Sequence, residues 1–245
     1  FDYVKDVFLK LDFGNSYRTG KPVFDDIFMR LPVSIKVAFL GMLLATVMGL
    51  PLGVLSAVKQ YSPADSFLRV ASTVLVAMPT FWLAMLLILV FALYLGWLPA
   101  GGALTWQSYI LPTITVGVPY GSKVLRMTRS TMLEEIRQDY VRTARSKGVP
   151  EKKVIYGHAL KNALLPVITT IGSAFGAILG GSVIAESVFN LPGLGSLIVL
   201  SIKAKDTPSV LASVLLLAVF FAIIMLIVDL VYAFIDPRIK AKYAK

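Results

Sequence analysis

Five long apolar stretches, parted by polar ones, set the pattern of this 245-residue chain. They cover roughly residues 34–58, 70–95, 109–126, 163–189 and 210–235. Each is near or above the ~20 residues a helix needs to cross a bilayer core. Backbone polar groups in lipid must bond internally, so the pattern predicts helices rather than open strands. The third stretch is the weakest, because Pro112, Pro119 and Lys123 interrupt it. The expected fold is an all-α, polytopic membrane protein with five transmembrane helices in this chain.

Between the third and fourth stretches lies a strongly polar run. From Arg126 to Lys161 it holds nine Lys/Arg against four acids. Thr131 followed by Glu134 fits a capping box, and Glu134 and Glu135 suit the positive end of a helix, so a helix is expected to open there. Gly148 and Pro150 then break it, the first by permitting a sharp turn and the second by forbidding helix continuation. A second helix is expected from about Glu151. The run reads as helix, elbow, helix, in a loop at about 127–162.

Basic residues gather on the cytoplasmic side of membrane proteins. That places the 126–161 block inside, together with Lys59, Arg69 and the tail residues Arg238, Lys240, Lys242 and Lys245. The outer loops are poor in Lys/Arg: residues 96–108 have none, and 186–208 have Lys203 and Lys205. Residues 1–33 then form an extracytoplasmic segment and 34–245 the transmembrane domain. The turn signals Gly14-Asn15-Ser16 and Thr19-Gly20-Lys21-Pro22 fall in the former. An exported start with no span before it is unusual. The pattern therefore predicts a sixth, N-terminal span in the intact protein, with a five-span arrangement as the alternative.

Composition agrees with the membrane class: 57% of residues are apolar and the mean hydropathy is +0.77. The net charge of +10 does not point to nucleic acid, because the excess sits in blocks beside apolar spans. There is no cysteine, hence no disulfide framework and no thiolate metal site. The single His158 builds no histidine cluster.

Within the spans, Gly41, Ala45, Gly49 and Gly53 recur every four residues, as do Gly172, Gly176 and Gly180. Such stripes let another helix approach closely, and internal packing is the favoured reading. Pro51, Pro79, Pro112, Pro119 and Pro166 stand in or at the ends of spans, where each can bend a helix. Lys123, Arg126 and Asp229 fall at similar depth, so Asp229 with either Lys123 or Arg126 is a candidate intramembrane polar pair, and snorkelling to the interface is the favoured reading for Arg126. No chain of buried carboxylates or histidines suggests a proton relay, which counts against an ion-coupled secondary transporter or channel. Gly117 to Lys123 lacks the spacing of a phosphate loop, and no hydrolase or metalloprotease motif is present. A membrane enzyme is therefore disfavoured, and uphill transport would need energy from a partner.

Several motifs carry a resemblance. Arg142-Thr143-Ala144-x-x-x-Gly148 stands where permeases of ABC importers have Glu-Ala-Ala-x-x-x-Gly. It departs at Arg142 and Thr143, and Leu160-Lys161 replaces the general Leu-Pro. In this form, Asp139 to Gly148 and His158 to Pro166 resemble the B-type permeases of dipeptide/oligopeptide (peptide/nickel) importers. Arg30-Leu31-Pro32, Val188-Phe189-x-x-Pro192-Gly193-Leu194-Gly195 and Asp236-Pro237-Arg238-Ile239 agree, so the resemblance covers essentially the whole chain. It implies a type I importer transmembrane domain in a bacterial or archaeal cytoplasmic (inner) membrane. This would be a non-catalytic half-channel for di- or oligopeptides, nickel or another small solute. A second permease, two cytoplasmic ATPases and an external binding protein would be its partners. ATP and Mg would be bound by the ATPases, with no cofactor in this chain. The elbow would be the coupling helix, with Tyr140, Arg142, Thr143, Ala144, Arg145, Lys147, Gly148, Pro150 and Glu151 facing or shaping the ATPase contact.

Overall fold

The computed structural model describes residues 13–235, except for the side chains of 229 and 231–235. The Asp236-Pro237-Arg238-Ile239 motif and the basic tail lie outside the described residues. So do the first twelve residues of the expected extracytoplasmic segment. Within the described range the chain is helical. In chain order α1 is Val23–Val58, α2 Pro63–Ala77, α3 Thr80–Leu87, α4 Ile110–Ile136, α5 Asp139–Ser146, α6 Glu151–Lys153, α7 Leu160–Val188, α8 Leu194–Lys203 and α9 Thr207–Ile235. Wider π-helical turns extend α3 over Ile88–Tyr94 and join α6 to α7 over Val154–Ala159.

The five expected spans fall on α1, the α2–α3 pair, α4, α7 and α9, and α1 begins at Val23, inside the expected 1–33 segment, rather than at 34. Among the described residues three helices are by themselves long and apolar enough to cross a membrane, Val23–Val58, Glu151–Val188 and Thr207–Val228, and the α2–α3 pair, bent by 104°, makes a fourth if it is one span; α4 does not reach that standard. The second span differs from expectation. It begins at Pro63 and is broken at Met78-Pro79, where proline offers no N–H to continue the helix. The third extends ten residues beyond its expected end, to Ile136. Arg, Met, Leu and Glu are good helix formers, so a change from apolar to polar composition does not by itself end a helix.

That extension overturns the capping box. Thr131 and Glu134 lie inside α4. The Thr131 hydroxyl donates back to the carbonyls of Met127 and Thr128, and Glu134 accepts from Ser130 at 3.5 Å. The next helix begins at Asp139 instead.

Residues 13–41, 79–116 and 177–223 form one compact unit. Its core joins Phe13, Val23, Ile27 and Leu31 to Leu194, Leu197 and Ala212. Two buried carboxylates fasten it. Glu186, fully buried near the end of α7, accepts from Ser34 Oγ at 2.6 Å, Ser182 Oγ at 3.1 Å and the Ser196 amide at 3.1 Å. Ser34 Oγ in turn accepts from the Leu194 amide at 2.8 Å. The acid thus sits at the N-terminus of α8, where exposed amides favour negative charge. A Cβ on Gly193 would strike the Glu186 carboxylate, and one on Gly195 would lie 2.5 Å from Val183 Cα. The Pro-Gly-Leu-Gly sequence is therefore what lets the chain close over this acid. Asp206 does the second fastening. Its carboxylate receives Ser16 Oγ at 2.5 Å, the Tyr17 amide at 3.0 Å and Ser209 Oγ at 2.8 Å.

Residues 42–78, 117–176 and 224–235 form the other unit. Here the first small-residue stripe packs against α4. A Cβ on Gly49 would come within 2.5 Å of the Gly121 carbonyl, and one on Gly53 within 2.5 Å of Thr128 Cβ. The stripe's packing role is internal to the chain. Gly172 likewise lies against Val228, whereas Gly180 has open space beside it. A second core gathers Val54 and Ala57 of α1, Met132 of α4, Val141 of α5 and Val154, Ile155, Ala159 and Ala163.

Candidate functional site

The elbow is built from a helix end that the sequence encodes locally. At the end of α5 the Gly148 amide donates to the Arg145 carbonyl at 2.9 Å, and the Val149 amide to the Ala144 carbonyl at 3.2 Å. This pair of bonds is the Schellman closure, with Gly148 in the left-handed position at φ +75°. Ala144 and Val149 occupy the two positions that touch across such a closure, and both pack against the second core. The Ala-x-x-x-Gly spacing is thus the spacing of a helix stop. Pro150 then leads into α6, and its carbonyl accepts from Lys153 at 2.8 Å and Val154 at 3.1 Å.

One face of α5 is buried and the other is open. Val141 is fully buried and Ala144 half-buried. Asp139, Arg142, Thr143, Arg145, Ser146 and Lys147 are exposed, as are Gly148, Pro150 and Glu151. Arg145 reaches across the turn to Glu151, with Nη2–Oε1 at 2.7 Å and Nε–Oε2 at 3.1 Å. The carboxylate beside it holds the Arg145 guanidinium above its ordinary value.

Tyr140 is exposed too, but its polar end is engaged within the chain. Its hydroxyl donates to Glu135 at 2.5 Å, and its side chain also meets Asn162. Burial first, and then the bond to the Glu135 carboxylate, push its phenol up to about 12. Tyr140 therefore ties the base of α5 to the end of α4 and the start of α7. The structure brings the remaining elbow residues together over α5, the turn after it and the first residue of α6.

Of the candidate intramembrane residues, Lys123 and Arg126 stand on α4. Lys123 is exposed and places Nζ 4.6 Å from the centroid of the Tyr120 ring, and Arg126 is exposed. The Asp229 side chain lies outside the described residues. Three buried acids, Asp65, Glu186 and Asp206, escaped the sequence-based expectations. A signal for Glu186 was available, since it is the only charged residue between Lys161 and Lys203. A lone acid in so long an uncharged run needs buried partners.

Comparison with known proteins agrees with this geometry. The family described as "Binding-protein-dependent transport system inner membrane component" matches residues 49–241. The chain is 41% identical over 231 residues to the glutathione transport system permease protein GsiC of Escherichia coli strain K12, covering 94% of this chain and 76% of that protein. GsiC of Salmonella typhimurium is 41% identical over 234 residues, covering 96% and 76%. Among solved structures, an inward-facing form of the MetNI methionine ABC transporter superposes with a TM-score of 0.71 at 18% identity, covering 86% of this chain and 96% of that one. An amino acid ABC transporter with histidines gives 0.62 at 16% identity, covering 97% and 99%. These last two are likenesses of fold. The chain belongs to the family of inner-membrane components of binding-protein-dependent transport systems, and is a multi-pass permease subunit of an ABC importer.

Proposed function

We propose that this permease forms half of the translocation path for short peptides, glutathione among them, in a bacterial or archaeal cytoplasmic membrane. A second permease completes the path, and an external binding protein delivers the cargo. Two cytoplasmic ATPases bind ATP and Mg and drive the cycle, and α5 is the element they push. The observation that carries this reading is the elbow itself. A short helix is held by one buried face and a Schellman closure, and its open side carries Arg142, Arg145 and Lys147 against Asp139 and Glu151, a net positive charge. Arg142, Thr143, Arg145, Lys147, Pro150 and Glu151 supply that side, while Tyr140, Ala144 and Gly148 hold its shape. An acidic groove on a partner would complement it. The relatives' glutathione permease name supports the peptide cargo.

The test is co-purification followed by transport. The tagged chain is extracted in mild detergent from its native membrane, reconstituted with whatever elutes in stoichiometric amount, and supplied with radiolabelled glutathione and dialanine. A second permease, ATPase subunits and ATP-dependent uptake are the expected result. Uptake of nickel in place of either peptide would overturn the cargo. A lone chain transporting without ATP would overturn the importer reading.

A further inference from the structure

One buried charge cluster is not used by the elbow's surface. Asp65, near the start of α2, is fully buried. Four donors from three segments converge on its carboxylate. Arg129 of α4 gives Nε at 2.7 Å and Nη2 at 2.9 Å. Ser56 of α1 gives its hydroxyl at 2.6 Å, and the Tyr61 amide in the α1–α2 turn lies at 3.0 Å. Tyr61 holds a left-handed φ of +63° in that turn. Arg69 approaches from α2 at 3.8 Å.

A buried ion pair is a weak source of stability, because desolvation offsets most of the attraction and an apolar replacement often does as well. What the pair does supply is geometry. A bidentate guanidinium–carboxylate contact sets distance and angle together. Arg129 lies one turn before Met132, which shares the second core with Val141 of α5. The contact therefore joins the α1–α2 turn to the part of α4 that carries the elbow.

We propose that Asp65 and Arg129 are a positioning pair, locking the α1–α2 turn and α2 to α4 so that they travel with the elbow as one body. This rests on the reading of α5 as the element pushed by the ATPases. Motion of the elbow then passes to α2 without slack. Loss of the pair lets ATP hydrolysis proceed while α2 lags behind.

The reconstituted complex tests it in two ways. In Asp65→Asn the number of glutathione or dialanine molecules taken up per ATP hydrolysed is expected to fall about tenfold, the scale of a coupling energy between linked sites. Measured on assembled complex isolated by size exclusion, this ratio does not depend on how much of the variant folds. The second measurement needs no change at the pair. The chain has no cysteine, so Phe67→Cys and Ser146→Cys, both at exposed positions, take spin labels directly. Their separation is expected to stay narrow and constant through the nucleotide cycle. A separation that changes on adding ATP, or an unchanged uptake ratio in Asp65→Asn, overturns the positioning role. If the unaltered complex shows no ATP-dependent uptake at all, the importer reading fails instead, which is a different result.

Discussion

Arg145 and Glu151 face each other across the turn that ends α5, joined by two hydrogen bonds of 2.7 and 3.1 Å. Their side chains keep 38% and 60% of their exposure, so solvent screens the pair. Its contribution is at most about 1 kcal/mol. Glu151→Gln is expected to leave the elbow folded, with a small loss of stability that vanishes at high salt. Amide exchange at Val149 is the check. Rapid exchange in the variant would mean that the ion pair, rather than the Schellman bonds, holds the turn.

Gly148 is where the turn depends on backbone conformation. At φ +75° a Cβ there meets nothing within 4 Å, so a side chain costs backbone strain and no clash. That strain is about 1–2 kcal/mol for an ordinary residue and less for asparagine. Gly148→Val should assemble with its partners but lose transport per ATP, whereas Gly148→Asn should keep most of it. Equal defects in both would place the effect in the partner's groove rather than in φ.

Two glycines of similar appearance should respond in opposite directions. Gly49→Ala sets a Cβ 2.5 Å from the Gly121 carbonyl, a backbone atom that cannot swing away. A loss of about 1–3 kcal/mol is expected. Gly180 has nothing within 4 Å, so Gly180→Ala should be neutral or gain up to ~1 kcal/mol of helix propensity. Thermal unfolding in detergent separates them. A stable Gly49→Ala would refute the close α1–α4 approach.

Asp206 makes a prediction about acid. Burial pushes its carboxyl up, but hydrogen bonds from the Ser16 and Ser209 hydroxyls and the Tyr17 amide outweigh burial and hold it below the ordinary value. The group is therefore ionised more readily folded than unfolded. Its contribution is complete above the unfolded value of about 3.9 and is lost as pH falls through the lower, folded one. Exchange at the Tyr17 amide should be insensitive to this group at neutral pH and rise only in strong acid. In Asp206→Asn exchange should already be fast at neutral pH. Loosening of the unaltered protein near neutrality would contradict the clasp.

Features that depend on neighbours along the chain were legible in the sequence alone, because adjacent residues carry the information. The membrane class followed from the length of the apolar stretches. The elbow followed from Gly148 and Pro150, and its second helix begins at Glu151 as expected. Thr131 and Glu134 show the limit. The same spacing occurs inside a helix, and it caps one only where the helix begins. Whether α4 ends at Arg126 or Ile136 was settled by packing, through Met132 in the second core.

The partners of the buried acids were decided by tertiary structure alone. Asp65 and Arg129 are 64 residues apart, Ser34 and Glu186 are 152, and Ser16 and Asp206 are 190. A buried carboxylate must be satisfied, and that much the sequence implies. Which donor satisfies it depends on which helices meet. That depends in turn on close approaches such as Gly49 against Gly121, which no one segment encodes by itself.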